Sequence, residues 1–201
     1  ALNGPTFRET VERDLQGWTP EWRENWTSLE LADGERDPIF LVGFPRSGTT
    51  LLDTMLMGSP QLSVLEEQSM LPSIARSLAN ADLAKVSSER ALQARSDYFA
   101  AARKCGWDDS RWLLDKHPLN MVRLPLIHRV FPRARVILAE RHPYDVVLSC
   151  FTANFRQNLA MRSFNSLEEA ARTYDVVFQA WSRARVICST DVHSVRYERL
   201  V

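Results

Sequence analysis

Gly43-Phe44-Pro45-Arg46-Ser47-Gly48-Thr49-Thr50 joins two patterns that belong to different elements. Before it, Ile39-Phe40-Leu41-Val42 is a short unbroken apolar run, the signature of a buried strand. After it, residues 49–57 predict a helix. A strand that passes into a helix through a turn with two glycines sets the first helical amides beside the strand's carboxyl end. The same alternation recurs along the chain. Residues 111–115, 135–139 and 193–197 predict further strands. Residues 65–79, 83–105, 120–131 and 144–155 predict helices, the last opened by Pro143 at a favoured first position. Ser166 and Glu169 have capping-box spacing, ahead of a helix whose Ala170, Tyr174, Val177, Trp181 and Ala184 share one face. Strands alternating with helices imply an α/β fold of three layers: a central, mostly parallel sheet flanked by helices. Ligands of such sheets bind at the carboxyl ends of the strands. Residues 1–37, with Trp18, Pro20 and Trp26 among acids, read as a helical lead-in to a domain spanning 38–201.

The totals narrow the classes of function. A chain of 201 residues, 45% hydrophobic, suits one domain with a small appendage. Zero net charge supplies no global field for nucleic acid or a membrane surface. Charge is uneven, however: residues 1–37 hold nine acids against four arginines, and residues 111–162 hold nine bases against three acids. A local basic region in a neutral chain suits a compact anion, its plainer alternative being a solvated helix face. Cys105, Cys150 and Cys188 match neither a disulfide framework nor a metal site, and fit a reduced compartment. No apolar run approaches the roughly 20 residues of a membrane span. No signal peptide opens the chain, although its start at Ala1 leaves room for an upstream segment; a cytoplasmic location is expected if it is bacterial. Oligomeric state has no signal in the sequence.

The 43–50 stretch matches the P-loop spacing G-x-x-x-x-G-K-[ST], except that Thr49 stands where the lysine belongs. A P-loop kinase or nucleotide triphosphatase needs that lysine, and remains only as a rival reading. Here the positive charge sits within the loop, at Arg46, which suits an oxyanion clamp that needs no metal. Three further motifs fall at or after predicted strands: Glu66-Glu67, Asp115-Lys116-His117-Pro118, and Arg141-His142-Pro143-Tyr144-Asp145 with Ser149. Read alone, Glu66-Glu67 suits two solvated acids at a helix start, and Arg141 with Ser149 suits a capped helix equally with a phosphate site. Trp107 and Trp112 read as core or as walls of a cleft.

Together these motifs resemble the sulfotransferases that use 3′-phosphoadenosine 5′-phosphosulfate (PAPS). The resemblance covers about residues 38–201 and points most closely to protein-tyrosine sulfotransferases and bacterial tetratricopeptide-repeat sulfotransferases. It implies a P-loop-type fold in which Arg46, Ser47, Gly48, Thr49 and Thr50 hold the 5′-phosphosulfate. It implies that Glu67 is the catalytic base, with Arg46 and Lys116 neutralising the moving charge. Arg141 and Ser149 would hold the 3′-phosphate, and Tyr197 in Tyr197-Glu198-Arg199-Leu200 would approach the nucleotide. His117 is a rival base, but it adjoins Lys116, and neighbours at a strand end point opposite ways. The implied acceptor bears a hydroxyl: a protein tyrosine, a carbohydrate or a small alcohol. Relatives continue beyond the last matching strand, so a C-terminally truncated fragment that binds nucleotide without turnover is the remaining alternative.

Overall fold

The computed structural model describes residues 5–26, 29–78, 82–156 and 158–200. Five strands form its sheet: β1 (Ile39–Gly43), β2 (Leu62–Glu66), β3 (Trp112–Lys116), β4 (Arg135–Glu140) and β5 (Asp191–Arg196). Their order is β2-β3-β1-β4-β5, and every neighbouring pair runs parallel. Parallel neighbours need long crossovers, which the helices supply. These are α1 (Phe7–Gly17), α2 (Pro20–Glu24), α3 (Thr49–Leu56), α4 (Met70–Ser77), α5 (Ser88–Lys104), α6 (Leu124–Val130), α7 (Pro143–Thr152) and α8 (Leu167–Ile187).

β1 is central, which explains its unbroken apolar run. Successive side chains enter opposite faces of the sheet. Phe40 and Val42 join the large core with Tyr98, Phe131 and Trp181, whereas Leu41 meets Leu52, Leu114 and Ala139 in a smaller core under α3. The lead-in belongs to the same body. Thr6 and Glu9 form a reciprocal capping box on α1, and Val11 enters the large core. Asp37 is buried against Arg95 and also accepts from the Arg133 amide at 2.7 Å.

Several expectations change. Residues 65–79 are not one helix: β2 ends at Glu66 and α4 starts at Met70, while Ala79 lies outside the described residues. The 83–105 segment breaks at Val86 and Ser87, where Ser87 caps α5. The 120–131 segment is a 3-10 stretch, Pro118–Arg123, followed by the short α6. Ser166 does accept from the Glu169 amide, but the Glu169 carboxylate turns to Arg8 of α1 at 2.8 Å, so only half of that box exists. The basic 111–162 region is also dispersed. Arg135 lies at the amino end of β4 near Asp191, and Arg133 reaches back to the carbonyls of Leu31 and Ala32. Trp112 begins β3, at the amino end of the sheet and under Arg36 and Arg135, while Trp107 stacks on Phe99.

Candidate active site

The 43–50 turn closes over the carboxyl end of β1. Gly43 cannot carry a side chain: a Cβ there would meet Ser47 Oγ at 2.5 Å and the Ala139 carbonyl at 2.7 Å. Gly48 caps α3 with φ of 95°, and a Cβ would strike the Tyr197 ring at 2.6 Å. Arg46 also lies in the left-handed region, with φ of 70°. Non-glycine residues adopt that region at a cost, and the surrounding contacts must hold them there. The Ser47 amide donates to the Phe44 carbonyl, and the Cys150 thiol of α7 donates to the Pro45 carbonyl at 3.3 Å. The first intrahelical bond runs from the Leu52 amide to the Gly48 carbonyl, so the amides of Thr49 and Thr50 precede the helical ladder. Ser47 Oγ is buried with no hydrogen-bond partner within this turn.

Four residues distant in sequence meet beside this turn. Arg46 Nε donates to Ser149 Oγ at 3.1 Å across 103 positions. Arg141 Nη1 lies 3.5 Å from the Arg46 carbonyl, and its guanidinium stacks 4.7 Å from the Tyr197 ring centre. Asp145, in the first turn of α7, approaches Arg141 Nε only at 3.9 Å. The Glu198 carboxylate accepts from the His142 amide at 2.8 Å and ties the turn after β5 to the start of α7. Arg46, Arg141, Ser149 and Tyr197 are therefore neighbours.

On the other flank, the Lys116 ammonium sits among three carboxylates. Its Nζ is 2.8 Å from Glu66, 3.1 Å from Asp53 and 3.3 Å from Glu67. Lys116 is 2% exposed and Asp53 0%, whereas Glu66 and Glu67 are 46% and 60% exposed. Burial acts against the ammonium, but its contacts with Glu66 and Asp53, with the charge of Glu67, outweigh it and hold its pKa above the ordinary lysine value. The Lys116 hydrogen bond lowers the Glu66 carboxyl, while burial raises that of Asp53. Glu67 has φ of 48°, and its amide donates to the Lys116 carbonyl at 2.7 Å, so the β2–β3 ladder itself holds the bend that exposes it. His117 makes no hydrogen bond to this cluster through Nδ1, which is buried without a partner. Burial, together with the charge of Arg123, keeps the ring below the ordinary histidine value and neutral. Asp115 points into the core, where Tyr98 donates to it at 2.9 Å.

The structure thus brings Lys116 together with Glu67 and Glu66, and Arg46 together with Ser149, Arg141 and Tyr197. Asp53 was not foreseen. Its only local signal is one acid inside an apolar helical run, Leu51-Leu52-Asp53-Thr54-Met55-Leu56. Among the described residues, no helix is long and apolar enough to cross a membrane, and no group of three or more His, Cys, Asp or Glu side chains is arranged to hold a metal ion.

In fold, the chain is similar to a sulfotransferase from Alicyclobacillus acidocaldarius, with a TM-score of 0.56 and 17% identity over 83% of this chain and 75% of that one. It is also similar to sulfotransferase STF9 from Mycobacterium avium, with a TM-score of 0.53 and 17% identity over 96% of this chain and 64% of that one. In sequence it is 28% identical to an uncharacterized protein of Aquifex aeolicus over 77% of this chain. It is 31% identical to the nodulation protein NoeE of Sinorhizobium fredii over 55% of this chain. The matched regions span 21% and 30% of those two curated relatives. The model of the sulfotransferase family matches residues 38–201, from the residue before β1 to the end of the chain, and the chain belongs to that family.

Proposed function

We propose that this chain uses PAPS to sulfate a hydroxyl acceptor by in-line transfer. The observation that carries the reading is the buried Lys116 ammonium held against Glu67 beside the 43–50 turn. When bound, PAPS supplies the sulfuryl group and a phosphate leaving group, with 3′-phosphoadenosine 5′-phosphate (PAP) as product. The residues fit such a donor. The amides of Gly48, Thr49 and Thr50 with the unpartnered Ser47 hydroxyl offer donors to a 5′-phosphate at a helix start. Arg141, whose Nε has no hydrogen-bond partner, and Ser149 offer a forked guanidinium and a hydroxyl to a 3′-phosphate. Tyr197 backs both groups, lying under Gly48 and against Arg141.

The chemistry of the side chains divides naturally. Glu67 is the more exposed of the two glutamates and takes the proton from the acceptor hydroxyl. Lys116 and Arg46 neutralise negative charge that builds up during transfer. His117, buried and held below the ordinary histidine value, ranks below Glu67 as base. The acceptor class stays open among protein tyrosine, carbohydrate and small alcohol. Thermal shift with PAP, set against ATP with magnesium, tests the donor. PAP should raise the melting temperature without a metal. Stabilisation by magnesium-ATP alone would favour the P-loop kinase or triphosphatase reading instead.

A further inference from the structure

We infer that Asp53 is a positioning residue that anchors the Lys116 ammonium to the helix carrying the 43–50 turn, while Glu66 and Glu67 are its exchangeable partners. The inference rests on the sulfuryl-transfer reading and extends it to a residue outside the four sequence motifs.

The geometry separates the three carboxylates. All lie within 3.3 Å of Lys116 Nζ, yet only Asp53 is fully enclosed. Its side chain rises from α3, one turn after the Gly48 cap, and Asp53 Oδ1 accepts from Thr54 Oγ1 at 3.3 Å. Glu66 and Glu67 stand at the end of β2, where water reaches both. The contact with Glu67 has hydrogen-bond geometry, whereas Asp53 Oδ2 meets the ammonium as a buried ion pair with no hydrogen bond of its own. Three carboxylates around one ammonium leave an excess of negative charge where the proposed donor, itself an anion, must come. Release of the two exposed acids to water costs little, because exposed ion pairs are weak. Release of Asp53 would strand a charge in the interior, which is far costlier. Lys116 can therefore turn part of its bonding capacity to a donor while Asp53 keeps it in place. The same exchange frees Glu67 to act as a base.

Lys116 itself reports the outcome. The groups facing its ammonium are Asp53 from α3, with Glu66 and Glu67 from the end of β2, and His117 is its chain neighbour. The 15N signal of the Lys116 side chain, assigned by its loss in Lys116→Met, can be titrated with pH in the whole chain. Asp53→Asn keeps the shape and removes the charge. It should move the Lys116 midpoint to lower pH by about one unit, a tenfold loss of proton affinity. Glu67→Gln should move it less. With PAP bound, the Glu67→Gln effect should fade while the Asp53→Asn effect persists. An unmoved midpoint in Asp53→Asn, or an Asp53 effect that vanishes with PAP, overturns the inference. If Asp53→Asn does not fold, the wild-type titrations decide: a Lys116 signal that broadens into rapid exchange on PAP addition shows an ammonium without a fixed anchor and overturns it, and a persistent slow-exchanging signal supports it. Failure of PAP to bind wild-type protein would instead sink the sulfuryl-transfer reading.

Discussion

Asp115→Asn should stabilise the protein in mild alkali and leave its stability almost unchanged at pH 4. Asp115 is fully buried on the core face of β3, with Oδ2 accepting from Tyr98 at 2.9 Å and Oδ1 without a partner. Burial pushes its carboxyl up to about 7 from an ordinary 3.8, against the opposing effect of the Tyr98 hydrogen bond. The folded state thus holds this proton more tightly than the unfolded chain does. The stability it contributes is complete below pH 3.8 and lost as pH rises through about 7. A gap of about three pH units, at about 1.4 kcal/mol each, gives up to about 4 kcal/mol between pH 4 and pH 8. Asparagine offers Tyr98 the same acceptor and never ionises. At low pH its amide replaces a carboxylic hydroxyl of similar size, so the two proteins should then match. Urea denaturation followed by tryptophan fluorescence at pH 4, 6 and 8 gives the comparison. Taking the difference between variant and parent removes every other titrating group. That difference should grow from near zero toward about 4 kcal/mol as pH rises. A difference that stays flat with pH would refute burial as the control on Asp115.

Three further outcomes follow from the site. Glu67→Gln should lower sulfuryl transfer by about 100-fold or more while PAP binds as tightly as before or tighter, since an acid is lost from an anion site; transfer at the wild-type rate would move the base elsewhere. Gly48→Ala should cost about 1–3 kcal/mol in chemical denaturation, because its φ of 95° and a Cβ contact of 2.6 Å with Tyr197 both oppose a side chain. Adding Tyr197→Ala should restore the share due to the contact, and no recovery would show that the backbone strain accounts for the whole loss. Arg141→Ala should weaken PAP by about tenfold or more in titration calorimetry, the scale of a charge-assisted hydrogen bond, and unchanged affinity would remove Arg141 from the 3′ site.

Much of the sheet was legible because its central strands carry local signals. β1, β3 and β4 are buried on both faces, so each reads as an apolar run within one or two residues of its observed ends. β2 escaped notice because it is an edge strand, with Leu62, Val64 and Leu65 only half-buried and Ser63 turned inward. That mixture has no clear period of two, and Leu65 merged with the residues of α4 in a false helix. The capping box at Ser166 was half right for a related reason. Its serine acts locally, but the Glu169 carboxylate is claimed by Arg8, 161 positions away. In the site, the Gly43–Thr50 turn, Glu66-Glu67 and Lys116 were legible as motifs. The contacts of Arg46 with Ser149, and of Lys116 with Asp53, were not, because each joins residues more than 60 positions apart on separate elements. Asp53 carries no motif of its own, and only the burial of Lys116 shows why an acid sits inside that helix.

The most direct test of the account is a calorimetric titration of the chain with PAP and with adenosine 5′-monophosphate, both without metal. The two ligands share the adenosine and the 5′-phosphate, so their difference isolates the 3′-phosphate that Arg141 and Ser149 are assigned to hold. PAP should bind at least about tenfold more tightly, in line with one or more charge-assisted hydrogen bonds. Equal affinity for both ligands, or binding of magnesium-ATP with none of PAP, would contradict a PAPS site in this protein.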